Sequence, residues 1–381
     1  MLSHLASSSA PTGAERSLAL LAGALGDRGH RVCLFAPGPW PRADELRARG
    51  VEIREQGCRP CWLTYHDPRS WLETSLRGLR CGWPDPQRGR LSRALTAQRF
   101  DVAHVNCLPY LGAARAARAA GLPVVWHLRE ILPAGARRRW WARRLDGLAT
   151  RIVAVSGAVG RWVEEEGLAA RLEIVHNGAR PATTPTDRSA ARAQLGLPDA
   201  GTVIGLFGQL LPHKGPLHFV RAASAVAAEF PDALFVLAGA APAALLERVR
   251  QAASAVAGGS VRVLAAQRAS EPLYAAADAV CLATTTPDPL PRSVLEAMAA
   301  GLPVVAFRSG GTEEMVNDGE TGLLYDVGDV EGLADGFRQL LAEPRRRAAM
   351  GAAARRRVTE RFSLERHVDR MEALLADAAR S

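Results

Sequence analysis

Short apolar runs alternate with helical stretches along this chain, and the alternation happens twice, with a seam near residue 190. The first series reads as an amphipathic helix with Leu18, Leu21, Ala22 and Leu25 on one face, a strand from His30 to Ala36, a helix from Pro41 to Arg49, and Val51-Glu52-Ile53. It continues with Asp101 to Asn106 (strand), Pro109 to Ala120 (helix), Leu122 to His127 (strand), Ala136 to Leu148 (helix), Arg151 to Val155 (strand), Gly157 to Gly167 (helix) and Leu172 to Val175 (strand). The second series runs from the strand Thr202 to Phe207 through the strand Gly322 to Tyr325, and three helices follow. The strands are short, continuous and apolar, which is the mark of parallel strands buried on both faces. Two doubly wound α/β domains are the natural packing solution, and such sheets hold ligands beyond the carboxyl ends of their strands. The expected division is 1–178, a Pro-, Thr-, Ala- and Asp-rich linker at 179–201, a second domain at 202–361, and a last helix over 362–381 that returns to the first domain.

The chain has 381 residues, enough for two or three domains, and 48% of them are hydrophobic, so each domain can bury a core. No apolar run is long enough to span a membrane. The start shows no charged segment leading into an apolar one, so no signal peptide is expected and a cytoplasmic setting is the default. Met1 to Ala6 offers little for a buried strand, which predicts an upstream start or a frayed strand edge. Cys33, Cys107 and Cys281 sit in apolar runs and read as buried thiols. Cys58 and Cys61 form a CxxC with His66 and Cys81 downstream, but no second CxxC exists, so reduced thiols are expected rather than a metal.

A net charge of +9 raises the possibility of nucleic acid, but the arginines are spread along helix faces, so none is expected. The exception is Arg137 to Arg144, where Trp140 and Trp141 lie among five arginines. That segment suits peripheral contact with an anionic membrane, and equally a helix that docks its tryptophans in the core with arginines outside. Residues 54–90, rich in proline, tryptophan and cysteine, take no clear assignment.

Of the 48 lysines and arginines, one is a lysine, Lys214. It lies in Gly208-Gln209-Leu210-Leu211-Pro212-His213-Lys214-Gly215-Pro216, between a strand and a helix. A strand, a glycine loop, a cation and a helix start together suit phosphate. Lysine offers a compact point charge where arginine offers a planar fork, so its retention in so arginine-rich a chain points to chemistry that arginine does not replace.

Further on come Asp288-Pro289-Leu290-Pro291-Arg292-Ser293-Val294-Leu295-Glu296-Ala297-Met298, Gly301-Leu302-Pro303-Val304-Val305, Ser309-Gly310-Gly311-Thr312-Glu313-Glu314 and Asn317-Asp318-Gly319-Glu320-Thr321-Gly322. With Gly13-Ala14-Glu15, His127, Val155-Ser156 and Val175-His176-Asn177-Gly178 in the first half, the chain resembles the retaining glycosyltransferases of family 4 over nearly its whole length. The resemblance implies the GT-B architecture, two Rossmann-like domains facing across a cleft.

It also implies roles. In the family's Glu-x7-Glu motif the second acid matches Glu296 and the first falls on Asp288, one methylene shorter. The first acid is implied to take the donor sugar's hydroxyls and the second the donor ribose. The backbone from Leu290 through Pro291, Arg292 and Ser293 to Val294 opens a helix whose free N–H groups can hold the diphosphate. Lys214 matches the family's phosphate lysine, while its usual arginine companion is Gln209, which donates a hydrogen bond but brings no charge. Arg292 is placed in sequence to compensate. His127 is implied to reach the donor sugar, with an ordinary structural histidine as the alternative. Gly13 is either a close approach for the ligand or a glycine at the start of a helix, and Asn177-Gly178 either a site element or a turn.

The implied reaction moves a sugar from a nucleotide-diphosphate sugar to an acceptor hydroxyl, of a glycan or lipid-linked glycan, with retention and without a metal or other cofactor. Lys214, His127 and Asp288 are the expected catalytic set; Gly13, Gly208, Gln209, Lys214, Asp288, Leu290, Pro291, Arg292, Ser293, Val294 and Glu296 are the expected donor-binding set. A nucleotide-sugar epimerase on the same fold, or a non-catalytic nucleotide-sugar binder, is the alternative. A nicotinamide enzyme is disfavoured, because neither half opens with a strand followed by Gly-x-Gly-x-x-Gly.

Overall fold

The computed structural model describes residues 13–40, 43–56, 58, 86–180, 187–267 and 269–381. The short first strand expected at Met1 to Ala6, and the Cys61, His66 and Cys81 members of the CxxC reading, lie outside them. The described chain forms two compact units, one ending at Gly178 and resuming at Leu364–Ser381, the other spanning Ala179–Ser363.

In the first unit, strands β1 (Val32–Phe35) and β2 (Val51–Arg54) pair in parallel, and β3 (Ala103–Asn106), β4 (Val124–Leu128), β5 (Arg151–Ala154) and β6 (Leu172–Ile174) form a parallel sheet in that order. Among the described residues, α1 (Gly13–Asp27) and α2 (Ala43–Arg47) flank β1, α3 (Pro86–Gln98) precedes β3, α4 (Leu111–Ala119) links β3 to β4, and α5 (Ala136–Leu148) links β4 to β5. α6 (Gly157–Glu165) leads toward β6. The core joins Leu18, Leu21, Ala22 and Leu25 of α1 to Leu34, Val125 and Val153 of the sheet and to Leu364, Val368, Met371 and Leu374. Those last residues belong to the C-terminal helix Leu364–Arg380. Its apolar positions recur at helical spacing, so it buries one stripe on this core and leaves its polar side out. Ion pairs of Arg28 with Asp369 and Glu372, and of Arg151 with Asp377 at 2.8 Å, edge the same seam.

The second unit begins within the segment expected to be a linker. The helix α7 (Arg188–Gln194) packs into it through Ala191 and through Arg192, which is fully buried. The linker reading fails here because one side chain answers many carbonyls. Arg192 donates to the backbone oxygens of Ala276, Asp199 and Gly201 and to the carboxylate of Asp278. A guanidinium with five N–H donors can be buried at low cost only in such a setting. The sheet of this unit is parallel throughout, with β7 (Thr202–Phe207), β8 (Ala233–Ala238), β9 (Val261–Leu264), β10 (Ala279–Leu282), β11 (Val304–Phe307) and β12 (Gly322–Tyr325) in the order β12-β11-β10-β7-β8-β9. The chain proceeds outward from β7 on one side through β8 and β9, then returns to its other side with β10. The strand order therefore reverses between β7 and β10, and a crevice opens at their carboxyl ends.

The helices α8 (Pro216–Val226), α9 (Ala243–Ser254) and α10 (Glu271–Ala276) follow β7, β8 and β9. After β10 and β11 come α11 (Arg292–Ala299) and the single turn α12 (Thr312–Met315). α13 (Val330–Ala342), α14 (Pro344–Arg361) and the C-terminal helix, α15 (Leu364–Arg380), close the chain. Phe219, Phe235 and Phe337 from α8, β8 and α13 meet at ring-centroid separations of 5.5–6.2 Å in the centre of the second core.

Candidate functional site

The reversal point of the second unit gathers the residues singled out in the sequence. β7 ends at Phe207, and Gly208 and Gln209 follow it, both exposed. A single 3-10 turn, Pro212–Lys214, then ends at Gly215, whose φ of +69° is left-handed. A β-carbon at Gly215 would lie 2.0 Å from the carbonyl oxygen of Ala283, so only glycine lets this loop press against the end of β10. The contact is fastened by the His213 carbonyl, which accepts from Thr285 N–H at 2.8 Å and from the Thr284 hydroxyl at 3.0 Å.

That docking carries Lys214 to Asp288, 74 residues away in sequence, and the ammonium and carboxylate form a direct ion pair. Asp288 is itself held from the other side. Gly311 N–H donates to the Asp288 carbonyl at 2.8 Å, and a β-carbon on Gly311 would fall 2.2 Å from the Pro289 carbonyl oxygen. The Gly310-Gly311 pair is thus a backbone-to-backbone contact that fixes the acid. Beside it, the hydroxyls of Ser309 and Thr312 are buried without a hydrogen-bond partner among the described residues.

Three residues on from Asp288, Pro291 caps α11, and Arg292 is its first residue. Leu295 N–H bonds back to the Pro291 carbonyl at 3.2 Å, so the amides of Ser293 and Val294 have no acceptor within the helix. Leu290 and Val294 are buried and hold this start against the core. Arg292 reaches one turn ahead and donates to Glu296 Oε1 from Nε at 3.1 Å and from Nη2 at 3.0 Å. Two cations and two carboxylates therefore stand at this end of the sheet as two ion pairs, Lys214 with Asp288 and Arg292 with Glu296. Each pair is mostly shielded, with side chains 26% and 11% exposed in the first and 14% and 17% in the second. A set of this kind, next to open helix N–H groups, offers positive charge to a phosphate and carboxylate oxygens to hydroxyls.

In the first unit, Gly13 opens α1 and is exposed. His127 is the penultimate residue of β4 and is fully buried. Its Nδ1 lies 3.2 Å from Nε2 of His104 on β3, and its Nε2 has no hydrogen-bond partner among the described residues. Burial, with the Arg129 guanidinium adding to it, pushes the His127 imidazole well below the ordinary histidine range. His104 is likewise lowered, by burial first.

Around this pair lies a polar cluster that motif reasoning passed over. Arg129 donates to Asn106 Oδ1 at 2.8 Å and to Asn177 Oδ1 at 2.7 Å. Asn177 thus ties two strand ends together and is more than a turn residue. Glu130 accepts from the backbone N–H groups of Leu108 and Arg129 at 3.0 and 2.9 Å, and burial raises its carboxyl despite them. Cys107, at φ +77°, is a buried thiol pushed well up by burial and by the nearby Glu130. The one signal for this cluster was polar residues at 104 and 106 in an otherwise apolar strand.

The Arg/Trp segment resolves toward the docked alternative. Trp141 is buried edge-on to Trp126, with centroids 6.4 Å apart, and Arg144 stacks over Trp140 at 4.0 Å. Arg138 is engaged by Glu165 and Glu166 at 2.7 Å. Arg137, Arg139 and Arg143 remain exposed. Among the described residues, no helix is long and apolar enough to cross a membrane.

The first unit matches the family described as Glycosyltransferase Family 4 over residues 11–182, and the second matches Glycosyl transferases group 1 over residues 187–357. A GDP-mannose-dependent alpha-(1-6)-phosphatidylinositol monomannoside mannosyltransferase of Mycolicibacterium smegmatis is 35% identical over 207 residues, 51% of this chain and 53% of that protein. A D-inositol 3-phosphate glycosyltransferase of Rhodococcus jostii is 34% identical over 209 residues, 52% and 46% of the two chains. The chain spans about half the length of the curated relatives it matches. Among solved structures, Anabaena HepE in complex with UDP and glucose superposes with a TM-score of 0.81 at 24% identity, covering 97% of both chains, which shows a shared fold. WaaG, a glycosyltransferase involved in lipopolysaccharide biosynthesis, superposes at 0.70 with 16% identity over 95% and 96%. Both halves match glycosyltransferase family models in chain order, and the parallel sheets fit them: the chain belongs to the family 4 glycosyltransferases.

Proposed function

We propose that the protein transfers a glycosyl group from a nucleotide-diphosphate sugar to an acceptor hydroxyl with retention of anomeric configuration. The observation that carries this reading is the placement of Lys214, Asp288, Arg292 and Glu296 at the reversal point of one sheet, beside the open N–H groups of α11. In this reading the α11 amides and Lys214 hold the diphosphate, Asp288 takes sugar hydroxyls and Glu296 the ribose. Arg292 supplies the second cation that Gln209 does not. The anomeric C–O bond to the diphosphate breaks as the acceptor oxygen bonds to the same face, and the acceptor proton passes to the departing phosphate oxygen. Charge grows on the leaving nucleoside diphosphate, and fixed donors at that point lower the barrier. His127 and Gly13 complete the donor-binding set.

The donor class follows the Mycolicibacterium smegmatis relative, which is GDP-mannose-dependent by name, and HepE, whose structures are complexes with UDP and with UDP-glucose. The acceptor class is a polyol, glycan or lipid-linked glycan hydroxyl. We place the reaction in the cytoplasm without a metal; any contact with an anionic surface would run through Arg137, Arg139 and Arg143. The test is direct. Titrate the protein with UDP-glucose and GDP-mannose by calorimetry, then follow release of UDP or GDP with inositol and simple glycans as acceptors, with and without EDTA. Tight donor binding with no transfer to any acceptor would favour a non-catalytic binder; no binding of either nucleotide would defeat the reading. Loss of activity in EDTA would defeat the metal-independent part alone, and failure of anionic vesicles to retain the protein would defeat the surface contact.

A further inference from the structure

The parallel register explains why two histidines meet. His104 pairs with Val125 and Asn106 with His127, so His104 and His127 share one face of the sheet, two residues apart along it. That face is covered by the C-terminal helix, which brings His367 to a ring-centroid distance of 6.3 Å from His127. His104 and His127 are 1% and 0% exposed. Burial beside the Arg129 guanidinium keeps both neutral near pH 7. A neutral imidazole has one N–H and one lone pair. The 3.2 Å contact uses one of each, and a single N–H and a single lone pair are left over for the two outer nitrogens. Those are His104 Nδ1 and His127 Nε2, and neither has a partner among the described residues.

The two possible arrangements differ in where the leftover N–H sits. If His127 donates, the N–H falls on His104 Nδ1, on the strand interior. If His104 donates, it falls on His127 Nε2, at the carboxyl end of β4, where sheets of this type meet their ligands. A buried N–H with no acceptor is costly, and only the second position can be relieved by a bound ligand. His367 cannot exchange roles with the pair: its Nδ1 contacts the His176 carbonyl at 2.8 Å, and a carbonyl only accepts, so its proton sits on Nδ1.

We propose that His104 is a positioning residue, which donates from Nε2 to His127 Nδ1 and so fixes His127 as the tautomer with its proton on Nε2. His127 is then a neutral hydrogen-bond donor to a ligand oxygen, not a base. The choice of tautomer, made on the relief that a ligand gives, and the part concerning the ligand both rest on the glycosyl-transfer reading; the His104–His127 contact does not.

The experiment uses the full chain labelled with 15N in histidine, at pH 7.5 without ligand, with His127 assigned by the signals lost in His127→Gln. The expected pattern is a protonated-type shift at His127 Nε2 and an unprotonated-type shift at Nδ1. His104→Gln, whose amide can still donate, is expected to keep that pattern, whereas His104→Leu is expected to shift at least half of His127 to the Nδ1–H form. With UDP-glucose and GDP-mannose as probes, His104→Leu is expected to weaken sugar-nucleotide binding about tenfold while leaving UDP and GDP binding within twofold, and His104→Gln to restore it. A wild-type His127 with its proton on Nδ1, or a tautomer unmoved by His104→Leu, overturns the proposal. The wild-type spectrum decides even if the leucine variant does not fold. The expected tautomer in a protein that binds no sugar nucleotide would leave His104's role intact and defeat the transfer reading instead.

Discussion

Replacing Lys214 by alanine separates the leaving-group role from ordinary binding. Lys214 is paired with Asp288, so a diphosphate must share or displace that contact. A pair with about a quarter of its lysine exposed is worth roughly 0–1 kcal/mol after solvent screening. A hydrogen bond to a charged group contributes about 1.5–3 kcal/mol. The difference leaves about 0.5–3 kcal/mol of nucleotide binding on Lys214, or about a 2- to 160-fold weaker Kd for UDP or GDP in Lys214→Ala. The effect on the chemical step is larger. Charge develops on the diphosphate in the transition state, and loss of one preorganised donor there costs about 10²–10³ in kcat. Calorimetry with the two nucleotides gives the first number and the rate of nucleotide release under saturating donor gives the second. Lys214→Arg is expected to recover part of the binding but little of kcat. A guanidinium makes a two-pronged pair with a carboxylate, and Asp288 is held rigidly enough by Gly311 to capture it. If Lys214→Ala binds nucleotide within twofold of wild type and transfers at an unchanged rate, the assignment of this lysine to the diphosphate is wrong.

Gly311→Ala would set a β-carbon 2.2 Å from the Pro289 carbonyl and displace Asp288, so a loss of about 2 kcal/mol and a weakened sugar-nucleotide affinity are expected in a thermal-shift titration; a wild-type response would show that the loop yields freely. Arg192→Met removes the bonds to the Ala276, Asp199 and Gly201 carbonyls and leaves Asp278 with Arg188, and urea unfolding of the second unit should show a loss of about 3–5 kcal/mol, against under 1 if these bonds are dispensable. Acid should weaken the first unit. His104 and His127 have folded-state values below their unfolded ones, so the unfolded chain takes up more protons; the stability they contribute is full above about pH 6.5 and is lost as pH falls below it. One unit below that point the two together should cost about 3 kcal/mol, and an unfolding midpoint equal at pH 7.5 and 5.5 would contradict the burial of neutral imidazoles.

The fold was legible because its signal is local. Buried parallel strands need continuous apolar runs, and Thr202 to Phe207 or Val304 to Phe307 show them wherever they lie in the chain. The loops at the strand reversal were legible for a related reason. Gly215, Gly310 and Gly311 each mark a backbone approach that admits no β-carbon, and Lys214 stood out because an arginine-rich chain kept it. Sequence reading failed where one side chain serves many distant partners. Arg192 looked like one more arginine in a linker, and Arg129 like one more after a strand; their worth lies in carbonyls and amides that come together only after folding.

The sequence by itself therefore determined two parallel α/β units and the family, and it marked the loop and helix start that the second sheet brings together, since periodicity, glycine spacing and a lone lysine are properties of adjacent residues. Only the tertiary structure decided the pairings: Lys214 with Asp288 across the strand reversal, Arg292 with Glu296 along one helical turn, and the C-terminal helix against the first unit's core. It also decided that His127 leans on His104. Strand register sets which side chains on neighbouring strands touch, and nothing in a linear pattern of apolar and polar residues encodes that register for residues 23 apart in the chain.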